Sequence, residues 1–223
     1  MHHDPLPTLS AGLTHLQVPH PRSTALHRVV VSELRERQGP VYWLDARNEA
    51  CSYVLYELAP HHRLLDPVRV ARAFTAYQHH TLVKRLVRRT SGRTAMLVAP
   101  NVGSLYEDDD VPDYEREALL EAALTMLREV GATHEVPVLV TSATADPATR
   151  ETVAAAADQV VTAERTRMGL HFAGDGGGTT VYVEDGYWQT TIPYWVDLFG
   201  SVTSVERPTP ATDLGPAVLS SYG

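Results

Sequence analysis

Arg22 and Ser23 stand just ahead of an apolar helical stripe, so a cation and a hydroxyl meet where free backbone N–H groups at a helix start attract an anion. Asp45 closes the apolar run Val41-Tyr42-Trp43-Leu44 and puts a carboxylate at the end of what reads as a buried strand. Glu107-Asp108-Asp109-Asp110 and Asp113 are the densest acids, but they lack the spacing and the glycine of a calcium loop and read as a solvated loop before a helix. His61-His62 and His79-His80 are adjacent pairs, and adjacent side chains on a helix or strand point apart, which does not build a metal site. Gly174-Asp175-Gly176-Gly177-Gly178 precedes a strand and not a helix, so it reads as a hairpin tip and not as a phosphate cradle. Lys84, Arg85, Arg88, Arg89 and Arg93 form a basic helix end whose charge complements the helix dipole and is solvated, with a contact site for an acidic partner as the alternative. Cys51 is the sole cysteine; it excludes disulfide frameworks and multi-cysteine zinc modules, and reads as a small apolar residue near a sheet.

These residues need elements to hold them. Residues 1–22 carry four prolines and read as irregular, after which Ser23 caps a helix through about Arg37 that Gly39-Pro40 stops. Val41–Asp45, Val68–Ala73, Thr94–Ala99, Pro137–Thr141 and Gln159–Thr162 read as strands. Helices are expected near Glu49–Leu58, Thr75–Arg89, Asp113–Val130 and Pro147–Ala157, the third ending at Gly131. Met168–Phe172, Thr179–Glu184 and Tyr187–Thr191 read as successive antiparallel strands, with Trp188, Tyr194 and Trp195 as core or as a docking edge. Strand–helix alternation followed by hairpins predicts an α/β fold with a mainly parallel, helix-covered sheet and an antiparallel edge.

Composition narrows the function classes. The 223 residues give room for one α/β domain with a tail, and Pro208, Pro210 and Pro216 mark residues 206–223 as a mobile tail beyond a core of 1–205. A net charge of -8 argues against unspecific nucleic-acid binding by the whole surface. No apolar run approaches the roughly 20 residues that span a bilayer, and Met1-His2-His3-Asp4-Pro5 does not resemble a signal peptide, so a cytoplasmic protein without membrane contact is expected. All but one of the 19 basic residues are arginine, a bias expected of a GC-rich or salt-adapted genome.

Val70-Ala71-Arg72-Ala73-Phe74 before a polar helix start, Ala95-Met96-Leu97-Val98 leading to Leu105-Tyr106, Asp45 after its apolar run, and Val138-Leu139-Val140-Thr141-Ser142 follow one another in a definite order. Over residues 8–192 this succession resembles the ATPase core of the RecA/RadA recombinase superfamily. The resemblance implies a RecA-like core, a mainly parallel sheet flanked by helices with C-terminal antiparallel hairpins. It also places Arg22, Ser23 and Asp45 in a vestigial nucleotide site.

The motifs that would carry hydrolysis are altered. The phosphate-loop register Leu16 to Ser23 has Leu16 and Pro21 at its glycine places and Arg22 at its lysine place, while Pro19 and Pro21 offer no N–H. Pro100 stands at the metal-binding acid, Arg47 at the catalytic glutamate and Ala143 at the γ-phosphate-sensing glutamine. The two DNA loops are replaced by the acidic run and by Thr144-Ala145-Asp146-Pro147, which argues against direct DNA binding. By resemblance, Ala71, Leu82 and Leu86 match the pocket that receives a neighbouring protomer's hydrophobic peptide. The expectation is a non-enzymatic pseudo-ATPase without cofactor or metal that regulates homologous recombination or DNA repair through a RecA/RadA-type recombinase or self-association. The alternatives are a nucleotide-binding sensor without hydrolysis and an unrelated metal-dependent enzyme.

Overall fold

The computed structural model describes residues 6–21, 23–143, 145–167 and 169–174, and the backbone of 181–184 and 187–190. The elements are β1 (Gly12–Gln17), α1 (Ala25–Glu36), β2 (Val41–Ala46), α2 (Ser52–Leu58), β3 (Val68–Ala73), α3 (Ala76–Arg89), β4 (Met96–Ala99), α4 (Asp113–His134), β5 (Pro137–Val140), α5 (Pro147–Ala156), β6 (Gln159–Thr166), β7 (Gly169–Gly174), β8 (Val181–Glu184) and β9 (Tyr187–Thr190). Short 3-10 turns lie at His62–Leu65 and Ser104–Glu107. The main sheet runs β3-β2-β4-β5-β1-β6-β7, with every pairing parallel except β6 with β7. β8 and β9 form a separate antiparallel pair. This α/β arrangement fits the RecA-like layout expected from the resemblance.

Strand alternation explains the two layers. On β4, Met96 and Val98 join Leu16, Trp43 and Leu139 in a core covered by α1. Leu97 and Ala99 face the other way, into a second core built from Leu13, Leu44, Val138 and Val140 under α3, α4 and α5. Covered on both faces, the central strands lose the polar alternation of half-exposed ones and become short apolar runs.

Three local expectations are corrected. Residues 12–17, read as irregular, are β1 at the heart of the sheet, between β5 and β6. Its Thr14 and His15 are polar yet fully buried, which disguised the strand. Gly131 does not stop α4, which runs to His134 and closes on Glu135 in the left-handed region, φ 55°. A Cβ on Gly131 would lie 2.8 Å from Val138 Cγ2 and 3.0 Å from the Val136 carbonyl oxygen, so that glycine permits helix–sheet approach. Cys51, read as lying near the sheet, is exposed. The supposed hairpin tip beyond Gly174, the side chain of Trp188, residues Tyr194 and Trp195, and the boundary at 205/206 with its tail lie outside the described residues. Among the described residues, no helix is long and apolar enough to cross a membrane.

Two buried imidazoles couple the core to pH. His15 Nε2 lies 2.8 Å from Ser142 Oγ, and His79 Nδ1 lies 2.8 Å from the Tyr106 hydroxyl. Burial lowers the pKa of each to about 4; the neighbouring His80 adds to the effect at His79. Both are neutral when folded, whereas in the unfolded chain they take a proton near 6.5. The unfolded state therefore binds more protons, so stability is full above that value and falls as pH drops towards 4, by about 1.4 kcal/mol per pH unit for each histidine. Urea midpoints recorded from neutral pH down to about pH 5 are expected to follow this slope, and His79→Gln to flatten it; an unchanged slope would contradict the assignment.

Candidate functional site

The loop between β1 and α1 carries the residues that the resemblance matches to a phosphate loop. The Ser23 hydroxyl is buried and accepts a bond from Ala25 N at 3.2 Å, while Ser23 N donates to the His20 carbonyl at 3.0 Å. Ser23 thus serves the first turn of its own helix, although Thr24 and not Ser23 is the capping residue, and Thr24 makes no side-chain cap. Arg22 lies outside the described residues. A cavity of about 290 Å³ beside this loop is lined by His20, Ser23, Thr24, Arg28, Arg165 and Leu170. Burial holds the Arg28 guanidinium below the usual arginine value.

Asp45 has no exposed surface. Its Oδ1 accepts from Ala50 N at 2.9 Å, and its Oδ2 accepts from Arg72 Nε at 2.8 Å. Asp45 and Arg72 are direct cross-strand partners in the β2–β3 register. One carboxylate therefore holds both the edge strand and the turn at Arg47 and Asn48, each with φ 62°. Ser23 lies on a different connection, between β1 and α1, and among the described residues its hydroxyl and the Asp45 carboxylate share no hydrogen-bond partner.

The residues that the resemblance set at motif places are engaged in structural bonds. Arg47 donates to the Ser104 carbonyl at 2.8 Å and pairs with Asp108 of the acidic run. Glu107 accepts from Asp146 N at 2.9 Å, and Asp146 caps α5 by accepting from Thr149 N at 2.8 Å. Asn101, next to Pro100, adopts φ 51° and donates its backbone N–H to Thr141 Oγ1 at 2.9 Å. Among the described residues, no group of three or more His, Cys, Asp or Glu is arranged to hold a metal ion.

The other three site residues converge. Ala71 on β3 and Leu82 and Leu86 on α3 line one groove of about 350 Å³. Leu44 and Trp43 contribute to its apolar lining from β2, and Tyr42 completes the wall. Among the described residues β3 is the sheet's outer strand, bonded only to β2, and Val70 on it is 49% exposed. A free strand edge beside an apolar groove is the arrangement that accepts an added strand with a side-chain anchor.

The basic helix end expected from the sequence borders this groove, whereas Arg69 and the convergence of the three arginines were not legible there. Arg69, Arg85 and Arg89 stand around it, and Arg89 lies over the Tyr42 ring, 6.0 Å from its centroid. The spacing of Arg85 and Arg89 was a readable signal, since residues four apart share a helix face. Phe74, Tyr77 and Tyr114 are also exposed, with the Tyr77 hydroxyl donating to Glu115 at 2.8 Å. No family model matches the chain, and no curated protein matches it.

Because Asp45 is fully buried and Arg72 half exposed, removing the cation strands a carboxylate in the core. Arg72→Ala is expected to lower stability by about 2–3 kcal/mol, beneath the full cost of a wholly buried pair because the Arg72 head is partly solvated. Asp45→Asn combined with Arg72→Leu should recover part of that loss, as read from urea unfolding midpoints; no recovery would mean the pair is not the linkage between β2 and β3.

Proposed function

We propose that this chain is a catalytically inactive RecA/RadA-like protein that acts through protein contacts in the regulation of homologous recombination or DNA repair. Its partner on this reading is a RecA/RadA-type recombinase or a second copy of the chain. The observation that carries the reading is the meeting of Ala71, Leu82 and Leu86 in one groove beside the free edge of β3. An apolar side chain from the partner enters the groove while its backbone pairs with β3.

Loss of hydrolysis is supported by the same loop chemistry. Pro19 and Pro21 supply no amide donors to wrap phosphates, and Arg47 is held by Ser104 and Asp108 at the place where a glutamate would accept a proton. A second reading, nucleotide binding without turnover, is favoured by the cavity that carries Arg28, Arg165 and the start of α1. Titration with Mg-ATP separates the two: no heat of binding at millimolar ATP removes the sensor reading, whereas binding lost in Arg28→Ala supports it.

The partner reading predicts that the purified chain co-sediments with the recombinase of its own host, or with itself, and that Leu82→Asp abolishes this while leaving the circular dichroism spectrum unchanged. Failure to associate with either would overturn it. ATP turnover that disappears in Arg22→Ala would overturn the pseudo-ATPase assignment.

A further inference from the structure

We infer that the groove beside β3 selects an extended segment that is acidic as well as apolar, an aromatic or aliphatic side chain flanked by carboxylates; this rests on the docking reading above and specifies its partner. The chain holds 27 acids against 19 basic residues, so a cluster of unneutralised cations runs against its average. Arg69, Arg85 and Arg89 nevertheless converge on one apolar groove, and none of the three has a carboxylate partner among the described residues. Among the described residues Arg69 donates to the Asp66 and Val68 carbonyls alone, and the Arg89 guanidinium rests over Tyr42.

The helix dipole accounts for part of this, since Arg88 and Arg89 lie in the last turn of α3. Arg85 is a turn earlier, on the face that carries Leu82 and Arg89, and Arg69 is on a strand, so the dipole explains neither. Guarding the free edge against aggregation is the other structural role for such charges. Yet Val70 remains half exposed between Arg69 and Ala71, and Arg72 is drawn away to Asp45, which leaves the middle of the edge open.

Register supplies the partner's pattern. Arg69 is opposite Tyr42, and Ala71 is opposite Leu44, so residues two apart on β3 share the groove face. A strand added to the free edge repeats this spacing. An apolar side chain opposite Ala71 puts the residue two positions away opposite Arg69, where a carboxylate forms a cross-strand ion pair. Carboxylates on the same face also meet Arg85 and Arg89 across the groove, as bidentate guanidinium partners. An apolar floor with an open strand edge favours a peptide over the other polyanion that arginines attract, nucleic acid, which binds through charge and base stacking.

The test uses the full chain and three labelled peptides with a common central phenylalanine, carrying glutamate, glutamine or lysine two residues to either side. Fluorescence anisotropy should show the glutamate peptide binding roughly tenfold more tightly than the glutamine peptide, and the lysine peptide more weakly than both. The glutamate advantage should shrink in high salt and vanish in the Arg85→Gln, Arg89→Gln double variant, whose exposed substitutions leave the core intact. Equal affinity for the glutamate and glutamine peptides overturns the charge selection and leaves the docking reading standing. Binding that persists in Leu82→Asp, or no binding of any peptide, overturns both. A single-stranded oligonucleotide that displaces the glutamate peptide more effectively than unlabelled peptide does would overturn the choice of a peptide partner.

Discussion

The outer third of the sheet depends on one buried carboxylate. Asp45 is sealed from solvent, and bonds from Arg72 Nε and Ala50 N to its two oxygens offset the cost of burying it. Arg72 comes from β3, which among the described residues pairs with β2 alone, so the bond from Arg72 to Asp45 helps fix β3 in register on β2. The turn carrying Arg47 and Asn48 is fastened by the same acid through Ala50. Strand register, turn conformation and the position of Ala71 at the groove all follow from satisfying that charge.

At the carboxyl ends of the strands, where open α/β sheets usually place their ligands, the polar groups largely bond to one another. Ser23 serves the start of α1, Arg47 ties the Ser104 carbonyl and Asp108, and His15 meets Ser142. The Ser23 and His15 bonds are buried, while those of Arg47 stay partly at the surface. The groove at the sheet's edge is the reverse case: its arginines are exposed and, among the described residues, lack carboxylate partners. A site that must engage something else keeps unmet interactions, and on the proposed reading function has moved from the strand ends to the strand edge.

Much of this was legible beforehand because it rests on local patterns. β2, β3, β4 and β5 announce themselves as short apolar or alternating runs, and Thr75 with its bond from Gln78 N marks the start of α3 as expected. β1 was hidden because Thr14 and His15 are buried polar residues, stabilised by neighbours far along the chain; Ser142 lies 127 positions from His15. Gly131 misled for a related reason: its role is set by Val138 and Val136 across the packing interface, and the sequence shows only a glycine near a helix end. Ala71, Leu82 and Leu86 were placed by resemblance. The arginines around them were not, because Arg69 and Arg85 become neighbours only when β3 and α3 pack.

The contrast between a basic groove and an acidic chain also constrains how recognition works. A net charge of -8 repels an acidic segment at a distance, so long-range attraction does not speed its arrival. At physiological salt that repulsion is screened beyond about 8 Å, and the arginines act only once the segment is nearly seated. Charge then discriminates among docked segments by how slowly they leave, more than by how fast they arrive. The apolar floor and the free strand edge hold any extended peptide, and the arginines decide which one stays. Such short-range selection withstands high ionic strength better than electrostatic steering does, because contact pairs beside a partly buried floor are screened less than charges separated by water.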